Sequence, residues 1–459
     1  MLRVADWRVQ PRRAPFWQAY IRIGWVPAAI VFAIAATAGE SVAQTARDEA
    51  VQTRPRPDYD AEGVFIDDLI DGLGRAIGMR RDQPRSDSTS SVIVWPRLQL
   101  GTYYDDNPLR TPTQPRGDFV HTARASLDIN SNRDDHGFEF GGYGEVGYFD
   151  RFVSENYHQY GGYVGGFLVP TNESRLALRI TEDRLRQPRE EIGAGLSQLR
   201  PTVYHLLTTS VRGEYRDADW LLAPAGLFKR YSFEANAPVV IGGEFDRDEW
   251  SGGFRIGHAV TEGSLVFIEP QLNDRSYHQT VSTDGFRHDS SGYQILAGAR
   301  LDFSSVTYAE FAAGWLEQRY VDPAFATISG PAMVASATWN PRDWITLTFD
   351  GGRQIAESEL PGVSGIETTY VQAALDYELN YNWLANAYVG YTTADYNGSA
   401  TSTSQARSDN ILRYGLGTRY LVNQRIALGA AWSAYDRTSN TAGAELAFNQ
   451  IVASVQLQW

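Results

Sequence analysis

The sequence predicts a closed, antiparallel, up-and-down transmembrane β-barrel of about eighteen strands, with sixteen as the alternative. Three observations predict it. From Val92 onward the chain repeats segments that alternate apolar and polar side chains. Their connections alternate between short turns and longer links. The last strand runs Ile451, Ala453, Val455, Leu457 and Trp459 on one face, against Val452, Ser454, Gln456 and Gln458 on the other. Side chains alternate faces along a strand, so such a segment has one greasy face and one wetter one. A terminal Trp suits a strand whose final ring lies at a membrane–water boundary.

The N-terminus reads as an address. Arg3, Arg8, Arg12, Arg13 and Arg22 precede an apolar core from Trp25 to Ala38, followed by Ser41-Val42-Ala43. A charged region, a short apolar region and a small-x-small site form a secretory signal peptide over residues 1–43, cleaved after Ala43. These residues carry five Arg and two acids, so the mature chain has a net charge of −17 against −14 for the whole.

Residues 44–91 are not strand-like and are expected in the periplasm. Arg54 to Pro57 reads as extended linker. Between Asp60 and Met79, Phe65, Leu69, Leu73 and Ile77 recur every fourth residue, with Ile66 and Ile70 beside them and Asp67, Asp68 and Asp71 elsewhere. That spacing makes one apolar stripe on a helix over 60–79. The stripe suits a helix at the barrel mouth; a plug, or a dock for a periplasmic partner, is the alternative. Asp82 to Ser91 reads as a polar link.

The barrel is assigned to 92–459. Its clearest outward faces are Val203 to Tyr215, Trp250 to Val260, Tyr293 to Phe303, Val371 to Tyr381 and Ile426 to Ala434, each read at every second residue. Asn156–Pro170 and Thr327–Trp339 alternate least clearly. Short turns are expected at 218–219, 262–263, 304–305, 340–343, 380–382 and 423–424. Longer links are expected at 105–117, 188–200, 356–365 and 397–407. Bacterial outer-membrane barrels have short periplasmic turns and longer external loops. With the C-terminus in the periplasm, Trp220, Trp339, Trp344, Trp383 and Trp459 fall at that boundary as an aromatic girdle against outer-membrane lipid. The closing strand is also the expected handle for the barrel-assembly machinery.

The register turns many charges inward. Candidates for lining the lumen are Arg124, Asp128, Arg175, Arg179, Arg212, Glu214, Arg247, Arg255, Arg300, Asp302, Asp376, Glu378, Arg413 and Arg419. Unpaired in a dry interior such groups are costly, so the interior is expected to be wet or heavily paired. Mixed sign argues against a filter built from one ring of charge. Inward Tyr143, Tyr204, Tyr308 and Tyr388 offer stacking faces for sugars, or simply fill space.

The segment Leu98-Gln-Leu-Gly-Thr-Tyr-Tyr-Asp-Asp-Asn-Pro-Leu-Arg-Thr-Pro112 resembles the putative β-barrel porin type 2 family of Gram-negative outer membranes, whose first strand often ends in such a Tyr-Asp-Asp-Asn loop. The resemblance covers about Val92 to Trp459. It implies an outer-membrane pore, and some relatives are associated with exopolysaccharide production or export. It carries over no catalytic residue, and Asp105, Asp106 and Asn107 only as an ordered loop.

Other chemistries are weakly supported. With no Cys there is no disulfide, thiolate metal site or Cys nucleophile. An acidic chain without a basic run does not suit nucleic acid. Asp105-Asp106-Asn107 offers hard oxygen ligands but falls short of a Ca²⁺ shell; a solvated turn with an Asx bond is the expectation. Asp134-Asp135-His136 and Glu244–Glu249 are read as turn and strand-start residues. Among the seven His, only His278 and His288 flank one external link, near Ser282, Asp284, Asp289 and Ser290. No metal, cofactor or catalytic residue is expected.

Overall fold

The computed structural model describes residues 92–131, 135–194, 200–235, 243–261, 263–304, 306–399 and 407–459. The signal peptide, the linker and the 60–79 helix lie outside the described residues.

The period-2 pattern produces eighteen antiparallel strands, β1 (Val92–Asp105), β2 (Asp118–Ser131), β3 (His136–Phe149), β4 (Tyr157–Thr171), β5 (Ser174–Arg186), β6 (Val203–Arg216), β7 (Trp220–Phe233), β8 (Arg247–Thr261), β9 (Ser264–Tyr277), β10 (Ser290–Ser304), β11 (Thr307–Tyr320), β12 (Ile328–Arg342), β13 (Ile345–Ala356), β14 (Val363–Asn380), β15 (Trp383–Gly398), β16 (Ser408–Asn423), β17 (Ile426–Ser439) and β18 (Leu446–Gln458). Each pairs with its neighbours in sequence, and β1 pairs with β18, from Arg97↔Gln458 to Asp105↔Gln450. The sheet therefore has no free edge at its ends, the condition for spanning hydrocarbon with strands.

Connections after even-numbered strands have two to four residues; those after odd-numbered strands have six to sixteen. Some limits shift. The β12–β13 turn is 343–344 because β12 continues to Arg342, and the β13–β14 and β15–β16 loops shrink to 357–362 and 399–407. Asn156–Pro170 and Thr327–Trp339, the least clear segments, form β4 and β12.

The outer face carries the expected apolar residues. Val211, Tyr215, Trp250, Phe254, Ile295, Phe303, Val371, Leu428, Ile451 and Val455 are all exposed there. Between them, inward residues such as Tyr204, Arg255, Leu296, Arg300 and Val452 are buried. One residue of slip would exchange the two sets.

Candidate functional site: the inner wall and its mouth

On β1 to β5 three ion pairs join inward charges. Arg97 meets Asp128 at 2.6 Å, and Arg124 meets Glu145, its direct partner across β2–β3, at 3.3 Å. Arg179 reaches Glu139 at 2.6 Å although β4 lies between them. Gly161 and Gly165 of β4 allow this. A Cβ on Gly165 would meet the Glu139 carboxylate, and one on Gly161 would overlap Asp183. Tyrosines complete the network: Tyr163 donates to Asp128 at 2.5 Å, Tyr143 to Asp183 at 3.1 Å and Tyr157 to Glu145 at 2.9 Å. Arg124, Arg175 and Arg179 stack on Tyr143, Phe167 and Tyr163. Arg212 and Glu214 occupy the same face of β6.

A second group spans β8 to β11. Arg255 contacts Glu269 at 2.5 Å and Glu310 at 2.8 Å and lies over the Phe267 ring; Arg247 pairs with Glu249 and Arg300 with Asp302. Farther round, Arg419 donates to Gln456 at 2.8 Å and Arg413 faces the Tyr435 ring. Asp376 and Glu378 point inward from β14. Every sequence-read lumen candidate is thus on the inner face, spread around the wall rather than gathered at one point.

The inner wall is not wholly polar. Leu221, Leu265, Phe267, Leu296, Ala312, Leu316, Ile328 and Ala332 form one buried apolar cluster on the inner side of β7 and β9 to β12, joined by Ile355 at the top of β13. Sequence reading missed it because β9 runs Leu265-Val266-Phe267-Ile268, apolar on both faces. Charged neighbours in β8 and β10 mark only the polar half of the pattern.

The long-loop end is covered. For eighteen strands about 4.8 Å apart, tilted by about 40°, a round barrel has a backbone radius of about 18 Å. Side chains alone do not close that mouth, and loops fold inward over it. The β5–β6 loop carries Gln187, Arg189, Glu190 and Ile192. Gln187 Nε2 donates to Glu359 of the β13–β14 loop at 2.6 Å, and the Glu359 amide donates to Gly193 at 3.1 Å. Ile192 packs against Leu360, Val363 and Ile366 on one side and against Ile411, Tyr435 and Phe448 on the other. Arg186 and Arg189 close on the buried carboxylate of Glu155. From the β13–β14 loop, Glu357 reaches Arg275 and Tyr277 of β9.

The Tyr-Asp-Asp-Asn segment is the anchor of this cover, which corrects the expectation of a solvated turn. Asp105 and Asn107 are each 2% exposed. The Asx bond is present, with the Asn107 amide donating to Asp105 at 2.8 Å, while Asn107 also reaches Thr111 and Ala447. Asp106 accepts from Asn449 at 2.8 Å. The turn sets Arg110 at φ 53°, placing its guanidinium between Asp105 (2.7 Å) and Glu190 (3.0 Å) and over the Phe448 ring. Hydrogen bonds to both carboxylates use the fork geometry of arginine. Burial disfavours the Arg110 charge, but Asp105 and Glu190 more than offset it and hold the guanidinium above its ordinary value. Burial likewise pushes Glu190 up, and Arg110 outweighs it, leaving that carboxyl below its usual range. Among the described residues Glu359 has no such ion pair. Burial pushes it up to about 7, only partly opposed by Gln187 and Arg247.

The remaining sequence candidates are placed as follows. Trp220, Trp339, Trp344, Trp383 and Trp459 lie at the short-turn end, 45% to 54% exposed. His288 faces Asp284 at 3.0 Å, and Asp284 also accepts from the Gly362 amide. No hydrogen bond joins Ser282 Oγ to His288, so the Ser–His pairing that activates a nucleophile is not formed among the described residues.

The sequence matches the family model described as Putative beta-barrel porin 2 over residues 87–459. The chain belongs to this family. The chain's fold is similar to those of solved barrels from Pseudomonas aeruginosa. For the outer membrane protein OpdK the identity is 11%, covering 80% of this chain and 99% of that one, with a TM-score of 0.43. For OprD the identity is 15%, with coverage of 80% and 95% and a TM-score of 0.40. For the siderophore receptor PirA it is 7%, with 80% of each chain covered and a TM-score of 0.41. No curated protein matches the chain.

Proposed function

We propose that this porin is an outer-membrane channel for passive diffusion of small polar solutes or saccharides. Its short turns and C-terminus face the periplasm, and its covered mouth faces outward. One observation carries the reading: opposite signs alternate with tyrosines across the inner face of β1 to β5. A wall of matched charges tolerates water at little cost and offers hydroxyl-binding groups and ring faces without selecting one ion sign. The loop cover makes the path narrow and its outer end adjustable.

An association with exopolysaccharide export is the finer form of this proposal, supported by the resemblance of the first-strand loop. Planar-bilayer recording of the purified full chain tests the channel. Stepwise conductance with weak ion selectivity is expected; silence from folded, inserted protein overturns it. Loss of secreted polymer on deletion of the gene tests the finer form.

A second reading has its own observation. The buried apolar part of the inner wall suits a barrel with an occluded lumen that acts in structure or assembly and recruits a periplasmic partner through residues 60–79. That barrel is silent in bilayers, and deletion of 60–79 abolishes partner binding.

A further inference from the structure

The wall of the barrel is interrupted between β12 and β13. Their ladder runs from Arg342↔Ile345 at the short-turn end to Val334↔Gly352, and there it stops. Among the described residues no further rung joins Ile328–Met333 to Arg353–Ala356. Both stretches remain paired on their other sides, Gln318↔Ile328 with β11 and Ala356↔Ile366 with β14. The seam thus lies at the long-loop end of the two strands.

Its origin is local. Pro331 has no N–H to give to a ladder, and proline is confined to edges for that reason. The top of β13 has turned inward: the Ile355 carbonyl accepts from Arg275 of β9 at 3.0 Å, and Glu357 follows it to Arg275 and Tyr277. What spans the opening is a side chain. Arg353 donates from Nη1 to the Pro331 carbonyl at 3.1 Å and forms an ion pair with Glu367 of β14. Unmatched strand edges are costly in hydrocarbon, so the break in the ladder calls for a reason.

The surfaces on its two sides supply one. Outside, Met333 and Trp315 are exposed apolar residues flanking the opening. Directly inside are Ile328, Ala332, Leu316 and Ile355, with Val334 packed beside them. On β1 to β5, by contrast, ion pairs line the inner face. At the break in the β12–β13 ladder apolar side chains lie on both sides of the wall, which leaves a path there for a hydrocarbon chain.

We infer that the β12–β13 seam is a lateral portal through which the acyl chain of an outer-leaflet lipid reaches the apolar inner wall, with Arg353 as its latch. The portal goes beyond the aqueous channel proposed above and does not depend on it, because its test reads lipid contact rather than conductance.

The chain has no Cys, so single thiols report cleanly. Val334→Cys (inner face, at the seam), Met333→Cys (outer face) and Ala177→Cys (inner face of β5) are each labelled with bimane in proteoliposomes containing phosphatidylcholine with doxyl-labelled acyl chains. Quenching at Val334 of at least half that at Met333, with Ala177 unquenched, is the expected result. Adding Arg353→Ala is expected to raise the Val334 quenching about twofold. Protection of Val334 equal to that of Ala177, with Arg353 present and absent, overturns the portal and leaves the seam a by-product of loop closure. Heat-dependent gel mobility verifies folding of each variant. If Arg353→Ala does not fold, the comparison of the three sites with Arg353 intact decides alone.

Discussion

Gln187 and Glu359 share a 2.6 Å hydrogen bond although β5 and β13, the strands nearest to them, stand eight places apart in an eighteen-strand ring. Nearly half the circumference separates those strands. The bond therefore bridges the mouth, and whatever loosens it widens that end of the barrel.

Proton loss is one such control. Glu359 has an ordinary value of 4.5, raised by burial to about 7. A raised carboxyl makes the covered mouth bind protons more tightly than an open, solvated one. The stabilisation is fully present below about pH 4.5 and is lost as pH rises through about 7. Open probability in bilayers is expected to increase between pH 5 and pH 8, and Glu359→Gln to remove that dependence. A profile identical in the two proteins refutes the assignment.

Arg110→Met leaves Asp105 and Glu190 buried without their guanidinium. Breaking one side of a buried pair costs about 3–5 kcal/mol, here drawn from closure of the β5–β6 loop. Limited proteolysis of the folded barrel is expected to cut between residues 187 and 202 at least tenfold faster. Strand content by circular dichroism stays unchanged.

Removing one inner cation tests the charge balance. Arg255→Gln deletes the positive group facing Glu269 and Glu310. Reversal potentials under a salt gradient are expected to shift toward cation selectivity. No shift would mean that permeating ions avoid β8 to β11.

The outer face tests membrane placement. Leu416 is 57% exposed near the middle of β16. Leu416→Arg is expected to cost about 2–4 kcal/mol of folding free energy in bilayers, measured by denaturant titration in liposomes. A change within 0.5 kcal/mol, roughly that of an ordinary surface substitution, contradicts a lipid-facing position.

At the C-terminus, the Trp459 amide donates to the Pro96 carbonyl at 3.2 Å. Trp459→Ala is expected to slow assembly in cells, seen as unfolded barrel in pulse-chase gels. Refolding of the purified protein into detergent should change little. Equal slowing in both places the defect in the barrel itself rather than in its recognition.

The barrel was largely legible in the sequence because one physical pattern generates it. A face in lipid and a face away from it force period-2 alternation, and β6, β8, β10, β14, β17 and β18 display that directly. The unequal connections then gave the two ends. The mouth was not legible. Gln187 and Glu359 are 172 residues apart, and nothing local in either segment announces the other. The Tyr-Asp-Asp-Asn loop stood out, but polarity alone suggested a wet turn, whereas Arg110 and Glu190 bury it. The apolar inner wall was hidden for a different reason: alternation identifies a lipid-facing residue only where the opposite residue is polar.

Asp106 and Asn107 bond to residues of β18 beyond those that pair in the ladder, while Arg110, three residues farther on, holds the loop that crosses the mouth. The bonds that shut the ring and the ion pairs that hold the loop thus share one short segment. A change in that segment is felt both where the hoop fastens and where its end is covered.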